Sequence, residues 1–218
     1  MQMLIGTPID DKNISLAKLL FGLRQDLDIF SLVGINIASI NQRGIGRKFW
    51  GHLQWLALQS ISLSICKIYE KQSGCKLNSI DGVIRHLCAV TPPVLDAAKL
   101  KSFIQQYGGP TEAPNPISSL QSTADRFRDK YHTELCSFKK HRDKKAAHSE
   151  HGFNGEDLPS YDVMEKLFIF GADFYDLVSA AFVGVCPCDL KTTRPIKSAL
   201  KKILHELDVT NIRDDIRD

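Results

Sequence analysis

The residues best suited to chemistry lie in one short run, Arg142-Asp-Lys-Lys-Ala-Ala-His148. The guanidinium of Arg142 can hold a phosphate through two hydrogen bonds and stays charged at any relevant pH. The imidazole of His148, with an unperturbed pKa of about 6.5, can take a proton from a hydroxyl or return one to a leaving oxygen. Asp143 can orient that imidazole or bind a neighbouring basic group. The run therefore predicts phosphodiester chemistry. On RNA the 2′-hydroxyl is already present as the nucleophile, so we expect no metal and no other cofactor.

The charge around this run is unevenly distributed. Between positions 125 and 151 there are eight Lys or Arg and five Asp or Glu, an excess of three that equals the formal net charge of the whole chain, +3. The lysines nearest to Arg142 are the candidate RNA-binding residues: Lys139, Lys140, Lys144 and Lys145. A solvated helix face with basic residues near its C-terminal end would show the same pattern, and this alternative stays open.

Helical geometry restricts how Arg142 and His148 can cooperate. Six positions at about 100° each place the two side chains about 120° apart around a regular helix. Either the helix loosens near His148, ahead of Gly152, or two copies of the helix pack together and form a shared groove. The second arrangement predicts a symmetric homodimer with paired sites near its axis.

The run from Arg142 to His148 resembles the arginine–polar–spacer–histidine signature of the HEPN superfamily, and most closely its abortive-infection AbiU-type branch. The stretches Leu63-Ser-Ile-Cys-Lys-Ile-Tyr-Glu70 and Asn78-Ser-Ile80 are also similar to that branch. The resemblance covers about 49–182. It implies an all-α bundle, usually dimeric, that often acts as a metal-independent endoribonuclease in toxin–antitoxin or antiphage defence systems.

The resemblance also implies roles for individual residues. Arg142 would hold the scissile phosphate, His148 would be the general acid and base, and Asp143 would fill the polar position at which members often have Asn. The superfamily also contains inactive versions. The alternative is therefore a non-catalytic helical module that binds a partner protein, such as a cognate antitoxin or defence protein, or a nucleotide.

Other polar groups offer weaker candidates. Lys67 and Glu70 lie one turn apart on a predicted helix, where they could support the Arg142–His148 groove or form an ordinary surface ion pair. Cys186-Pro-Cys188 has no second cysteine pair to complete a structural zinc site. We therefore expect the six cysteines to be reduced thiols and predict no metal site.

The elements that must position these residues are all predicted to be helices. Apolar residues recur at spacings of three and four, no segment alternates with a period of two, and Gly- or Pro-rich breaks separate the periodic stretches. The expectation is an all-α, up-and-down bundle of four to five main helices. It forms a single domain over residues 1–218, with a HEPN-like core at about 49–183, an N-terminal helix 13–40 and a C-terminal helix and tail 196–218. The other predicted helices are 48–71, 79–88, 94–107, 116–148 and one between Ser160 and Pro187.

Two further expectations concern the second helix and the compartment. The helix at 48–71 is apolar around much of its circumference, which favours a central position in the bundle, with Trp50 and Trp55 in the core. The most apolar stretch, 29–40, is shorter than the roughly 20 residues that a membrane span needs, and the first residues do not resemble a signal peptide. We expect a cytoplasmic protein without a membrane segment.

Overall fold

The computed structural model describes residues 8–71, 79–110, 115–147 and 158–209. These residues form eight α-helices and no strand, so the predicted all-α class is confirmed. A π-helical turn, Ser179–Val183, directly continues the seventh helix. The helices are α1 Pro8–Arg43, α2 Arg47–Tyr69, α3 Ile80–Val90, α4 Ala97–Gln106, α5 Pro116–Lys130, α6 His132–Ala147, α7 Tyr161–Val178 and α8 Pro195–Glu206.

Three of the described helices, α3, α4 and α5, begin where a short polar side chain accepts a hydrogen bond from one of the first free N–H groups. Asn115 accepts a hydrogen bond from the backbone N–H of Ile117, and Pro116 occupies the first turn of α5, as the sequence predicts. Ser79 accepts a hydrogen bond from the backbone N–H of Gly82 at the start of α3. Ser160 precedes α7, but its side chain makes no capping hydrogen bond.

The core forms where the leucine stripe of α1 meets the aromatic face of α7. Leu16, Leu20, Leu23 and Leu27 are completely buried, and they recur at the three- and four-residue spacing that marks one helix face. Phenylalanines and tyrosines from α4, α5 and α7 pack beside them. At the centre of this group Phe127 and Phe170 stack, with ring centroids 3.8 Å apart.

The predicted continuous helix over 116–148 is wrong. The chain breaks at Tyr131, whose φ of −108° and ψ of 24° end α5 before α6 begins. The ring of Tyr131 packs against Phe127, four residues earlier, with centroids 4.8 Å apart, and it is buried in the core at the break. This division and the short α3 and α4 raise the number of α-helices in the described chain to eight, instead of four to five main ones.

The second helix is less buried than predicted. Trp50, Ile61 and Ile65 are in the core, but Trp55, Leu56 and Leu63 are exposed. The expected core position of Trp55 is therefore wrong. Phe49, Leu56 and Leu63 recur every seven residues and form an exposed apolar face on α2. In the described part of the chain, no helix is both long enough and apolar enough to cross a membrane.

A buried ionic network joins α1, α7 and the start of α8. Asp28, on α1, accepts hydrogen bonds from Arg24 at 3.0 Å and from Arg194 at 2.5 Å, and Arg24 also donates to Glu165 of α7 at 2.5 Å. Burial alone would lower the pKa of Arg24. The hydrogen bond and charge of Glu165 and the charge of Asp28 outweigh this effect and raise that pKa, so the guanidinium remains charged inside the fold.

Candidate functional site

Arg142 opens onto a cavity of about 360 Å³ between the C-terminal end of α2 and the α5–α6 unit, hereafter the α2–α6 pocket. Helix α6 packs directly on α2, and the break at Tyr131 joins the end of α5 to the same wall. The pocket is lined by Cys66, Tyr69, Glu70, Lys71, Arg128, His132, Leu135, Cys136, Lys139 and Arg142.

The guanidinium of Arg142 is already held by two carboxylates. Its Nε donates to Oδ1 of Asp143 at 2.8 Å, and its Nη1 lies 3.8 Å from Oε1 of Glu70. The hydrogen bond to Asp143 raises the pKa of Arg142, against the smaller opposing effect of burial. Arg142 is therefore a permanent cation fixed at one end of the pocket. Asp143 binds the arginine next to it in this arrangement.

The remaining predicted residues are distributed unevenly around the pocket. Lys139 and Glu70 line it, whereas Lys140 and Lys67 are exposed and lie outside its lining. The backbone of Lys144 and Lys145 belongs to α6, but their side chains lie outside the described part of the structure. His148 also lies outside the described residues. The structure thus brings Arg142, Asp143, Glu70 and Lys139 together.

A second arginine, Arg128 of α5, occupies the other end of the pocket. Its side chain is 10% exposed, and its Nη1 donates to Oδ1 of Asp125 at 2.7 Å. Among the described residues, its buried Nε has no hydrogen-bond partner. Lys71 lies 3.7 Å from the same oxygen of Asp125. A partly satisfied cation, most of it out of water, therefore faces the cavity.

Sequence reasoning missed Arg128, although a signal for it exists. Five of the six pocket residues of the α5–α6 unit recur at spacings of four, three, four and three: Arg128, His132, Leu135, Lys139 and Arg142. This is the repeat of one helix face. The face continues across the break at Tyr131, so basic residues on two different helices line one wall.

Two cysteines and a histidine occupy the middle of the pocket. The Sγ of Cys136 lies 3.6 Å from Nε2 of His132, one turn away on α6. Burial raises the pKa of the Cys66 thiol to about 11, so this thiol is neutral at physiological pH. In the parts of the chain that the structure describes, no three His, Cys, Asp or Glu side chains are grouped so that they could hold a metal ion.

Comparison of the chain with protein-family models, with curated protein sequences and with solved structures found no match. Function is therefore inferred from the chemistry of the α2–α6 pocket and from the run that begins at Arg142.

Proposed function

We propose that the protein is a HEPN-like, metal-independent endoribonuclease that binds RNA in the α2–α6 pocket. The observation that supports the proposal is the set of charges around one cavity. Four Lys or Arg side chains line it (Lys71, Arg128, Lys139 and Arg142), whereas Glu70 is the only acidic residue among its lining residues. A cavity of this size is within the range that accommodates small ligands, and its cationic wall suits a phosphate-bearing strand.

The chemistry follows from three groups. His148 removes the proton from the 2′-hydroxyl, the resulting oxygen attacks the adjacent phosphorus, and the bond from phosphorus to the 5′-oxygen breaks. Arg142 holds the phosphate and stabilises the extra negative charge of the transition state. The departing 5′-oxygen receives a proton from the imidazolium. The products are a 2′,3′-cyclic phosphate and a 5′-hydroxyl, so mass and charge balance without a redox step.

The proposal extends to the neighbouring lysines and to a second copy of the chain. Lys139 lies in the pocket wall, and Lys140 is exposed one residue further along α6. With Lys144 and Lys145, these lysines would contact the RNA backbone on either side of the cut. A homodimer, proposed from the 120° separation of Arg142 and His148, would bring the imidazole of one copy to the arginine of the other.

The test compares the wild-type protein with His148→Ala on tRNA and mRNA in the presence of EDTA. The matched control is His205→Ala, because His205 is an exposed histidine on α8 outside the pocket. We expect cuts ending in 2′,3′-cyclic phosphate with the wild type and with His205→Ala, and loss of cleavage by about 10²-fold or more with His148→Ala. Equal cutting by all three proteins would show that His148 is not the acid–base group.

A second candidate function, a non-catalytic module that binds a protein partner, is favoured by a different observation. The exposed apolar face of α2 contains Phe49, Leu56 and Leu63 at seven-residue spacing, which is typical of a seam between packed helices. Light scattering of the wild type and of Leu56→Lys tests this face. If it binds a second copy, the substitution converts dimer to monomer. A wild-type monomer would leave an antitoxin or defence protein as the occupant, to be sought by co-purification.

A further inference from the structure

The two ends of the α2–α6 pocket differ in electrostatic balance. At the Arg142 end, two carboxylates, those of Asp143 and Glu70, lie within 2.8 Å and 3.8 Å of one guanidinium. At the other end two cations, Arg128 and Lys71, share the single carboxylate of Asp125. With Lys139, one turn before Arg142 on the same wall, the charges at the Arg142 end balance, whereas the Arg128 end has one positive charge in excess.

Burial adds to this difference, because it removes Arg128 from the water that would otherwise solvate its charge. A guanidinium has five N–H donors, and Arg128 uses one of them on Asp125 at 2.7 Å. Its Nε is buried and has no partner within the described parts of the chain. The cost of holding a cation in this condition is offset when an anion occupies the cavity beside it.

The two arginines lie at separate places along the pocket wall. Fourteen positions separate Arg128 on α5 from Arg142 on α6, and the helix is interrupted between them at Tyr131. The side chain of a helical residue extends toward the N-terminus, so Arg142 extends along the pocket wall toward Arg128. The wall between them is lined by His132 and Lys139. The pocket therefore presents two separate cationic groups, and a cavity of about 360 Å³ is too small for a duplex.

From these observations, and resting on the proposed function, we propose that Arg128 and Lys71 form a second phosphate-binding subsite. The pocket then recognises a single RNA strand through at least two phosphates. The Arg128 end supplies the affinity, and the Arg142 end holds the phosphate at which the strand is cut. Because two carboxylates already hold Arg142, we expect it to contribute less than Arg128 to ground-state binding.

The first experiment measures binding of an uncleavable, 2′-O-methylated RNA hexanucleotide by fluorescence anisotropy over a series of salt concentrations. We expect Arg128→Gln to weaken binding about 10-fold or more and to reduce the slope of log K against log salt by about 0.7, the value for one phosphate contact on a single strand. Lys71→Gln should act in the same direction. Because Lys71 is 65% exposed, this second variant tests the subsite without risk to folding.

The matched control is Arg85→Gln. Arg85 forms a similar intrahelical ion pair, with its Nε 2.7 Å from Asp81, but it lies on α3 outside the pocket. If Arg128→Gln and Lys71→Gln bind like Arg85→Gln while Arg142→Gln cleaves RNA poorly, the second subsite is wrong and the proposed function stands. If the wild type binds no RNA at all, both proposals fail.

Steady-state kinetics and ligand length provide two further readouts. We expect Arg128→Gln to raise KM with little change in kcat, and Arg142→Gln to lower kcat. The hexanucleotide should bind more tightly than a mononucleotide. If a mononucleotide binds as tightly as the hexanucleotide and loses the same factor in Arg128→Gln, the ligand is a small nucleotide and the assignment to an RNA strand is overturned.

Discussion

Replacing Asp28 by Asn should destabilise the protein more than any exposed ion-pair substitution. Asp28 is 2% exposed, and its carboxylate accepts hydrogen bonds from both Arg24 and Arg194. Asparagine preserves the volume but removes the charge. The guanidiniums of Arg24, which is fully buried, and Arg194 then lose their shared carboxylate. Among the described residues, the partly exposed Glu165 remains as the carboxylate of this network.

The magnitude follows from the cost of an uncompensated buried charge. Breaking a buried ion pair by removing one partner costs about 3 to 5 kcal/mol, a large share of the roughly 5 to 15 kcal/mol that stabilise a typical domain. For a chain of this size each kcal/mol corresponds to about 2 to 4 °C in Tm, so we expect a decrease of about 6 to 20 °C. Urea denaturation followed by circular dichroism measures the free energy of unfolding directly.

The control for this prediction is Asp208→Asn, which removes an ion pair with Arg43 at the surface, where the two side chains are 77% and 53% exposed. It should cost less than about 1 kcal/mol. A fourfold replacement by uncharged residues (Arg24→Met, Asp28→Leu, Glu165→Gln and Arg194→Met) should recover most of the stability that Asp28→Asn loses. If Asp28→Asn costs no more than Asp208→Asn, the network does not compensate buried charge as argued.

Three further predictions test local features of the fold. Burial raises the pKa of Cys66 to about 11, which leaves about 0.1% of this thiol as thiolate at pH 8. Mass spectrometry should therefore detect slower alkylation of Cys66 than of the exposed Cys186. Equal labelling of the two thiols would contradict this prediction. An added Cβ at Gly22 meets no atom within 4 Å, whereas at Gly171 it would lie 2.7 Å from the buried Leu20. Gly22→Ala should therefore raise the free energy of unfolding by about 0.5 to 1 kcal/mol, and Gly171→Ala should lower it by about 1 to 3 kcal/mol. The opposite order in urea denaturation would refute the packing argument. Burial raises the pKa of Asp176 above its ordinary value of 3.8, with Lys191 and Lys99 opposing the shift. The folded state therefore binds the proton of the Asp176 carboxyl more tightly than the unfolded state does. The resulting contribution to the free energy of unfolding is complete below pH 3.8 and is lost as the pH rises through the raised pKa. Asp176→Asn should flatten the dependence of stability on pH in that window, and an unchanged curve would count against the shift.

The helices of this fold were predictable where one face is buried, as α1 illustrates. The spacing of Leu16, Leu19, Leu20, Leu23, Leu27 and Phe30 predicts a helix with one buried stripe. Four of these six residues are completely enclosed, and Leu19 and Phe30 are partly buried against them. The break at Tyr131 was not predictable, because neither Gly nor Pro marks it and the residues on both sides favour helix. It coincides with the burial of Tyr131 in the core, and local periodicity contains no information on such tertiary burial.

The exposed face of α2 has a similar explanation. Apolar side chains that lie off the main buried stripe of a helix, such as Leu56 and Leu63, predict a helix that is surrounded by neighbours. Periodicity gives no information on whether those neighbours belong to the same chain. Here α1, α6 and α7 cover part of the circumference, and the face of Leu56 and Leu63 remains open.

The candidate site was predictable at one end of the pocket. The sequence predicted Arg142 because chemically suited residues lie next to it, and it also predicted Lys139 and Glu70 as residues of the same site. Arg128 belongs to a different helix, beyond the break at Tyr131, and is linked to Arg142 through the shape of the fold. Arg128 and Arg142 are fourteen positions apart, so their shared pocket can be recognised only when the helix face is followed through the whole α5–α6 unit.

The position of His148 can be tested by mixing two inactive variants. On a regular helix, position 148 falls within about 20° of the buried His141, whereas Arg142 faces the pocket. A regular continuation of α6 would therefore direct the imidazole away from the arginine of its own chain. Two proposals remain: a helix that loosens before 148, or a site built from Arg142 of one copy and His148 of another.

The two proposals predict different results when Arg142→Gln and His148→Ala are mixed and allowed to exchange subunits. In a shared site each heterodimer contains one intact Arg142–His148 pair and one doubly substituted pair. Random exchange makes half of the dimers heterodimers, so cleavage should recover to about a quarter of the wild-type rate. A site within one chain has no intact pair in any mixture and should recover no activity. Recovery therefore requires a shared groove, and its absence in a protein that light scattering shows to be dimeric would assign both residues to the same chain.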